Sequence, residues 1–193
     1  MKTKLLVLLL VFSAISVQSQ TVESLKTETL KFYEGHYYMD FKTVADLTHP
    51  IVLENTDTGT FIQKLDNEYQ NTEFRKRLQL VQPIFSYTAI KTIDGQAFCV
   101  ITYKNPTRYF FEHKLDAAKG HQKVSELKQS TKATEVIFEP VRNSINVKRS
   151  SKLVAVWDES AQNQWKFFNF DDPMQEERFQ KRFNEYIKKA IRL

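Results

Sequence analysis

The stretch IFSYTAIKTIDGQAFCVITYK, residues 84–104, decides the fold class. Residues 84–93 and 96–104 alternate in polarity and are rich in β-branched and aromatic side chains, with Asp94 and Gly95 between them. A two-residue turn closing a hairpin needs positive φ at both positions, so this pattern predicts two antiparallel strands. Pro106 has no N–H to give to a ladder, which predicts a bend or a sheet edge just past the second strand. Three further strands are expected, over 135–142, over 144–148 together with 153–158, and over 165–170, with a hairpin loop over 159–164.

Towards the N-terminus the periodicity changes from two to three and four. Leu25, Thr29, Phe32 and His36 form one row and Leu30, Tyr33 and Tyr37 a second, which places both on one broad face of a helix over 22–39. Asp40 offers a cap for a second short helix carrying Phe41, Val44 and Leu47, which ends before His49 and Pro50. A short strand is expected over 50–54 and a third helix from Thr58 to Tyr69. The run over 71–82, with Glu73, Arg75, Lys76 and Arg77, reads either as an extension of that helix or as a solvated loop. Residues 112–132 are polar and contain Gly120; they read as a long loop or as a short inserted helix at 124–128.

Beyond the strands, Asp172, Pro173 and Gln175 make a helix start, and Phe179, Phe183, Tyr186, Ile187 and Ala190 give it an apolar stripe up to 191. Helices first, then antiparallel strands, then a closing helix is the α+β pattern.

Residues 1–20 have Lys2 and Lys4, an apolar run from Leu5, and then small and polar residues. That order predicts a secretory signal peptide, so the chain is expected to be secreted or periplasmic. The apolar stretch ends by Val17, short of the roughly 20 residues a bilayer crossing needs, so no stable membrane anchor is expected. Without Lys2 and Lys4 the formal charge of +5 falls to +3, with both signs interspersed. That is not the electrostatic footprint of a nucleic-acid binder, and no nucleic-acid partner is expected. The remaining residues, 21–193, suit a single domain rich in Phe and Tyr. Cys99 is the only cysteine, so stability must come from packing, and Cys99 itself reads as a small buried side chain in a strand.

The run FYEGHYYMDFKTVADLTHPIVLE, residues 32–54, resembles the opening of the NTF2-like superfamily, the cone-shaped fold of the nuclear transport factor 2, ketosteroid isomerase and SnoaL type. There an aromatic-bearing helix is followed by an acidic corner, a second helix and a His-Pro or Asp-Pro step into the first strand. The run VWDESAQNQWKFFNFDD, residues 156–172, is similar to the terminal hairpin of small secreted proteins of uncharacterised function, chiefly from Bacteroidetes. The resemblance implies a strongly curved antiparallel sheet wrapped against N-terminal helices, with a pocket on its concave face and a C-terminal helix added. It places Glu54 or Asn55 near the isomerase base, and Tyr33 or Tyr37 near the helix-borne Tyr. Together with His36, His49 and Trp157, the residues Tyr33, Tyr37 and Glu54 are the expected pocket lining.

Chemistry is not written in motifs. The four histidines form no His-x-x-x-His or Cys/His set, so no metal or cofactor is expected, and no Gly-x-Ser-x-Gly exists. His49 reads first as a capping or hydrogen-bonded core residue, and His36 as first-helix packing. Trp157 and Trp165 read first as core, and secondarily as a platform for a sugar or apolar ligand. Three functions remain open: a module that binds a small apolar molecule or a partner segment without catalysis; an isomerase, dehydratase or hydrolase using Glu54, His49 and a first-helix Tyr; and a structural homodimer joined through the outer sheet face.

Overall fold

Asp94 and Gly95 adopt φ values of 50° and 77° and join two antiparallel strands, as their order demands. The computed structural model describes residues 22–193, so the expected leader lies outside the described residues. No helix among them is long and apolar enough to cross a membrane.

The chain is α+β. Helix α1 covers 22–38, and Met39, at φ 62°, turns the corner. Asp40 then caps α2 (Phe41–Leu47) by accepting from Thr43 N–H. The strand expected at 50–54 is instead a short helix, α3 (Pro50–Leu53). His49 Nδ1 accepts from the Ile51 N–H and Pro50 occupies the first turn, where its missing donor costs nothing. Only Thr48 keeps a strand-like contact, a parallel bridge to Phe167. Helix α4 (Thr58–Tyr69) follows, capped by Asp57.

The charged run then forms neither helix nor loop but strand β1 (Phe74–Leu78). The strands β2 (Phe85–Tyr87) and β3 (Lys91–Ile93) both lie along β4 (Gln96–Lys104), and β5 (Thr107–Phe111) follows the break at Pro106. Residues 112–132, expected as a loop or one turn of helix, contain the fifteen-residue helix α5 (Ala117–Thr131), capped by Asp116. Strand β6 (Glu135–Glu139) leads through a 3-10 turn to β7 (Ser144–Lys148), β8 (Ser150–Asp158) and β9 (Gln164–Asn169). The closing helix is two helices, α6 (Pro173–Arg182) and α7 (Glu185–Ala190), because the chain turns extended at Phe183 and Asn184 caps a new start.

The strands form two antiparallel sheets. In the first, β2 and β3 lie end to end along one edge of β4, with β8 and then β9 beyond its other edge; in the second the order is β1, β5, β7, β6. Two strand pairs cross the seam, since β4 continues into β5 through Asn105 and Pro106, and β7 into β8 through Arg149. The breaks face each other, and Asn105 N–H bonds to Arg149 O at 2.8 Å.

The first sheet is buried on both faces. Phe167 meets Phe32 of α1 at 5.0 Å between ring centroids, and Phe168 on the opposite face meets Phe179 of α6 at 5.2 Å. Phe98 packs on Phe183 at 5.2 Å, so the C-terminal helices cover the outer face that a dimer through this sheet would use. The second sheet is covered on one face, where α5 closes a smaller cluster containing Tyr109, Phe111, Ile145 and Val147. Gly120 makes that closure feasible: a Cβ there would lie 2.3 Å from the Phe138 ring.

Candidate functional site

The seam between the two clusters holds a cavity of about 920 Å³. Gln63, Leu65 and Tyr69 of α4 form one wall, and Leu127 and Thr131 of α5 another. Lys76, Tyr103, Tyr109, Arg149 and Asp171 supply the polar floor.

Strand alternation explains how a lysine comes to lie there. In Phe74–Leu78 the inward positions are Phe74, Lys76 and Leu78, opposite Phe111, Tyr109 and Thr107 of β5. Arg75 and Arg77 take the outer face, where Arg75 pairs with Glu112 at 2.7 Å. Continuing across the sheet, the inner row through Lys76 is Tyr109, Ile145 and Phe138. Lys76 is therefore the one charged side chain on the inner face of this sheet. Its ammonium sits 3.9 Å from the centre of the Tyr69 ring, a cation–π contact, and has no ion-pair partner among the described residues. Burial pushes its pKa down to about 8, with Arg149 adding to the effect and Glu68 opposing it.

The other polar groups are held by one another. The Tyr69 hydroxyl and His36 Nδ1 are hydrogen-bonded at 3.0 Å. Burial first, and then the charges of Lys76 and Arg149, lower His36 to about 3, so its imidazole is neutral. Burial likewise raises the hydroxyls of Tyr69, Tyr103 and Tyr109. Arg149 pairs with Asp171 at 3.0 Å, and Asp171 also accepts from Ser151 Oγ, which accepts from Asn105 Nδ2 at 2.8 Å. Three buried atoms on this surface, His36 Nε2, Asn105 Oδ1 and Arg149 Nε, have no hydrogen-bond partner.

Of the six residues expected to line a pocket, the cavity takes in His36. Tyr33 lies beside it, edge-on to Tyr103 at 5.6 Å, with its hydroxyl donating to Leu80 O at 2.6 Å, and Tyr37 stacks on Tyr33. His49 lies across the first sheet from His36. It stacks on Phe168 at 4.7 Å with Nε2 3.5 Å from Asp158, and burial lowers its pKa. Glu54 borders two separate surface grooves beside α3. Trp157 pairs across β8 and β9 with Trp165, towards the end of the first sheet away from the seam. Glu54, His49 and a first-helix Tyr thus do not converge. Lys76, Arg149 and Asp171 were not among the expected site residues; the alternation hidden in FRKRL is the signal that could have exposed Lys76. Among the described residues no group of three or more His, Cys, Asp or Glu could hold a metal ion.

No family model matches this chain, and no curated protein matches it at a significant level.

Proposed function

We propose that the chain is an exported binding module of the NTF2-like kind that holds a small molecule in the seam cavity without chemistry of its own. In this reading the two sheets are the halves of one curved sheet, and α1 to α4 and α5 close its concave side. The observation that carries it is the cavity itself. Its volume of about 920 Å³ suits a small-molecule site, and the rings of Tyr69, Phe74, Tyr103 and Tyr109 stand in it among convergent polar groups.

Binding is favoured over catalysis by the state of those groups. A general base works best when it titrates near the working pH. His36 is held far below that range, Asp171 is occupied by Arg149 and Ser151, and the tyrosines are pushed upward, so of the shifted groups Lys76, at about 8, stands near it without a partner acid or base. The isomerase-type set of Glu54, His49 and a first-helix Tyr is divided between different regions of the molecule.

Fluorescence titration with phenylnaphthylamine, an uncharged aromatic dye, tests the proposal. Saturable binding at one site per chain is expected, and Leu127→Trp, which fills the cavity from its half-buried α5 wall, should abolish it. Absence of saturable binding, or binding indifferent to Leu127→Trp, would contradict the proposal.

A further inference from the structure

The cavity's charges are not evenly spread. At the rim, Lys64 is shared by Asp172 at 3.3 Å and Glu68 at 3.7 Å, so two carboxylates face one cation. Deeper in, Arg149 is matched by Asp171, and Lys76 is left with an aromatic ring as its nearest partner. Over the whole lining the cations Lys64, Lys76 and Arg149 are matched in number by Glu68, Asp171 and Asp172, but the carboxylates pair with Lys64 and Arg149, which leaves Lys76 as the lining cation without an ion pair among the described residues. A charge in a low-dielectric recess is costly unless something compensates it, and the interaction that compensates it is stronger there than at the surface. The Tyr69 ring lies under the Lys76 ammonium, and Tyr109 and Phe74 are its cross-strand and same-face neighbours on the inner side of β1 and β5.

We propose that the seam cavity takes a monoanionic aromatic molecule, with its carboxylate or sulfonate held by Lys76 beside Arg149 and its ring lying among Tyr69, Tyr103 and Tyr109. This rests on the binding reading above and names the class of ligand. The site should also respond to pH. The groups facing Lys76 are Tyr69 and Glu68 from α4, Tyr109 from β5, His36 from α1, Arg149 at the seam and Asp171 after β9. The α5 wall offers Leu127, Ser130 and Thr131, none of which titrates. His36 stays neutral and the tyrosines stay protonated around neutral pH, which leaves Lys76 as the group that changes charge just above it.

Two dyes with one aromatic body separate the claims: anilinonaphthalene sulfonate, a monoanion, and uncharged phenylnaphthylamine. The wild-type protein should bind the sulfonate about tenfold more tightly, the amount one charge-assisted hydrogen bond supplies. Lys76→Met should abolish the preference for the sulfonate over the uncharged dye, whereas Lys76→Arg should retain it. Sulfonate affinity should fall as the pH rises through about 8, with the uncharged dye unaffected. Equal affinity for the two dyes, or a sulfonate affinity indifferent to both Lys76→Met and pH, would overturn the proposal while leaving a binding cavity in place. If neither dye binds, the binding reading fails and this inference with it. Should Lys76→Met not fold, the dye pair and its pH profile on the wild-type chain decide the matter.

Discussion

The first sheet and the second are built from the same kind of strand, yet they solve the burial problem differently. Both faces of β4, β8 and β9 are covered, one by α1 and α2 and the other by α6 and α7, so Phe98, Val154, Phe167 and Phe168 are fully enclosed. The second sheet has one cover, α5, and its outer face is a lattice of charge: Arg75 with Glu112, Arg108 with Glu139, Lys148 with Glu135. Because α5 reaches only β6 and β7 closely, the inner side of β1 and β5 is left to face a cavity instead of another layer. The fully covered region provides stability, and the partly covered one provides room for a ligand.

The largest effect should come from the enclosed sheet. Phe168→Ala is expected to lower the unfolding free energy by ~3–5 kcal/mol, read by urea titration, because the ring is fully buried and the hole cannot collapse between α6 and β8. Phe138→Ala under α5 should cost clearly less, its ring being already part-exposed. Equal losses would remove the distinction between the two regions.

Acid should strike the same enclosed region next. His36 and His49 both sit below the ordinary histidine range, so the unfolded chain binds protons that the native one refuses. Their contribution is intact above about pH 6.5 and is lost as the pH falls, for His36 down to about 3, a loss on the order of a few kcal/mol from His36. Lys76 acts at the other end of the scale. Its native pKa of about 8 lies below the unfolded value of 10.5, so stability should rise with pH between the two, and Lys76→Met should remove that rise. Urea midpoints across pH for the wild type and the His36→Gln and Lys76→Met variants check both signs.

Gly120→Ala probes the single cover. The added methyl would meet the Phe138 ring well inside contact distance, so a loss of ~1–3 kcal/mol is expected, with faster hydrogen exchange in α5 and β6 and little change in α6. The smallest effect belongs to the charged outer face. Arg75→Ala breaks a pair whose side chains are 50% and 37% exposed, and should change the urea midpoint by an amount equivalent to at most ~0.5 kcal/mol.

Much of the enclosed region was legible in the sequence, because it rests on local rules: the Asp94–Gly95 turn, the apolar rows of α1, and the caps at Asp40 and Asp172. The expected strand at 50–54 failed where side-chain chemistry overrode pattern, since His49 bonding to the Ile51 N–H and Pro50 in the first turn favour a helix. The break at Phe183 was hidden for a similar reason: the apolar stripe runs on through it, and only Asn184 marks a second start. The cavity was the least legible part. Glu73, Arg75, Lys76 and Arg77 look like one solvated run when counted as charges, and the period of two separates Lys76 from its neighbours only once a strand is assumed. Arg149 and Asp171 gain their meaning from a seam that joins Arg149 to Asn105, more than forty residues earlier, and to Asp171, beyond the next hairpin, which no local window contains.

The central claim, that the space left by the partial cover is the binding site, is tested most directly by hydrogen–deuterium exchange with and without phenylnaphthylamine. Protection gained in β1, the end of α4 and residues 127–131 of α5, with α6, α7 and the Trp157–Trp165 end unchanged, is the predicted result. Protection centred on α6 and α7 or on the Trp157 end, with β1 and α5 unaffected, would contradict it.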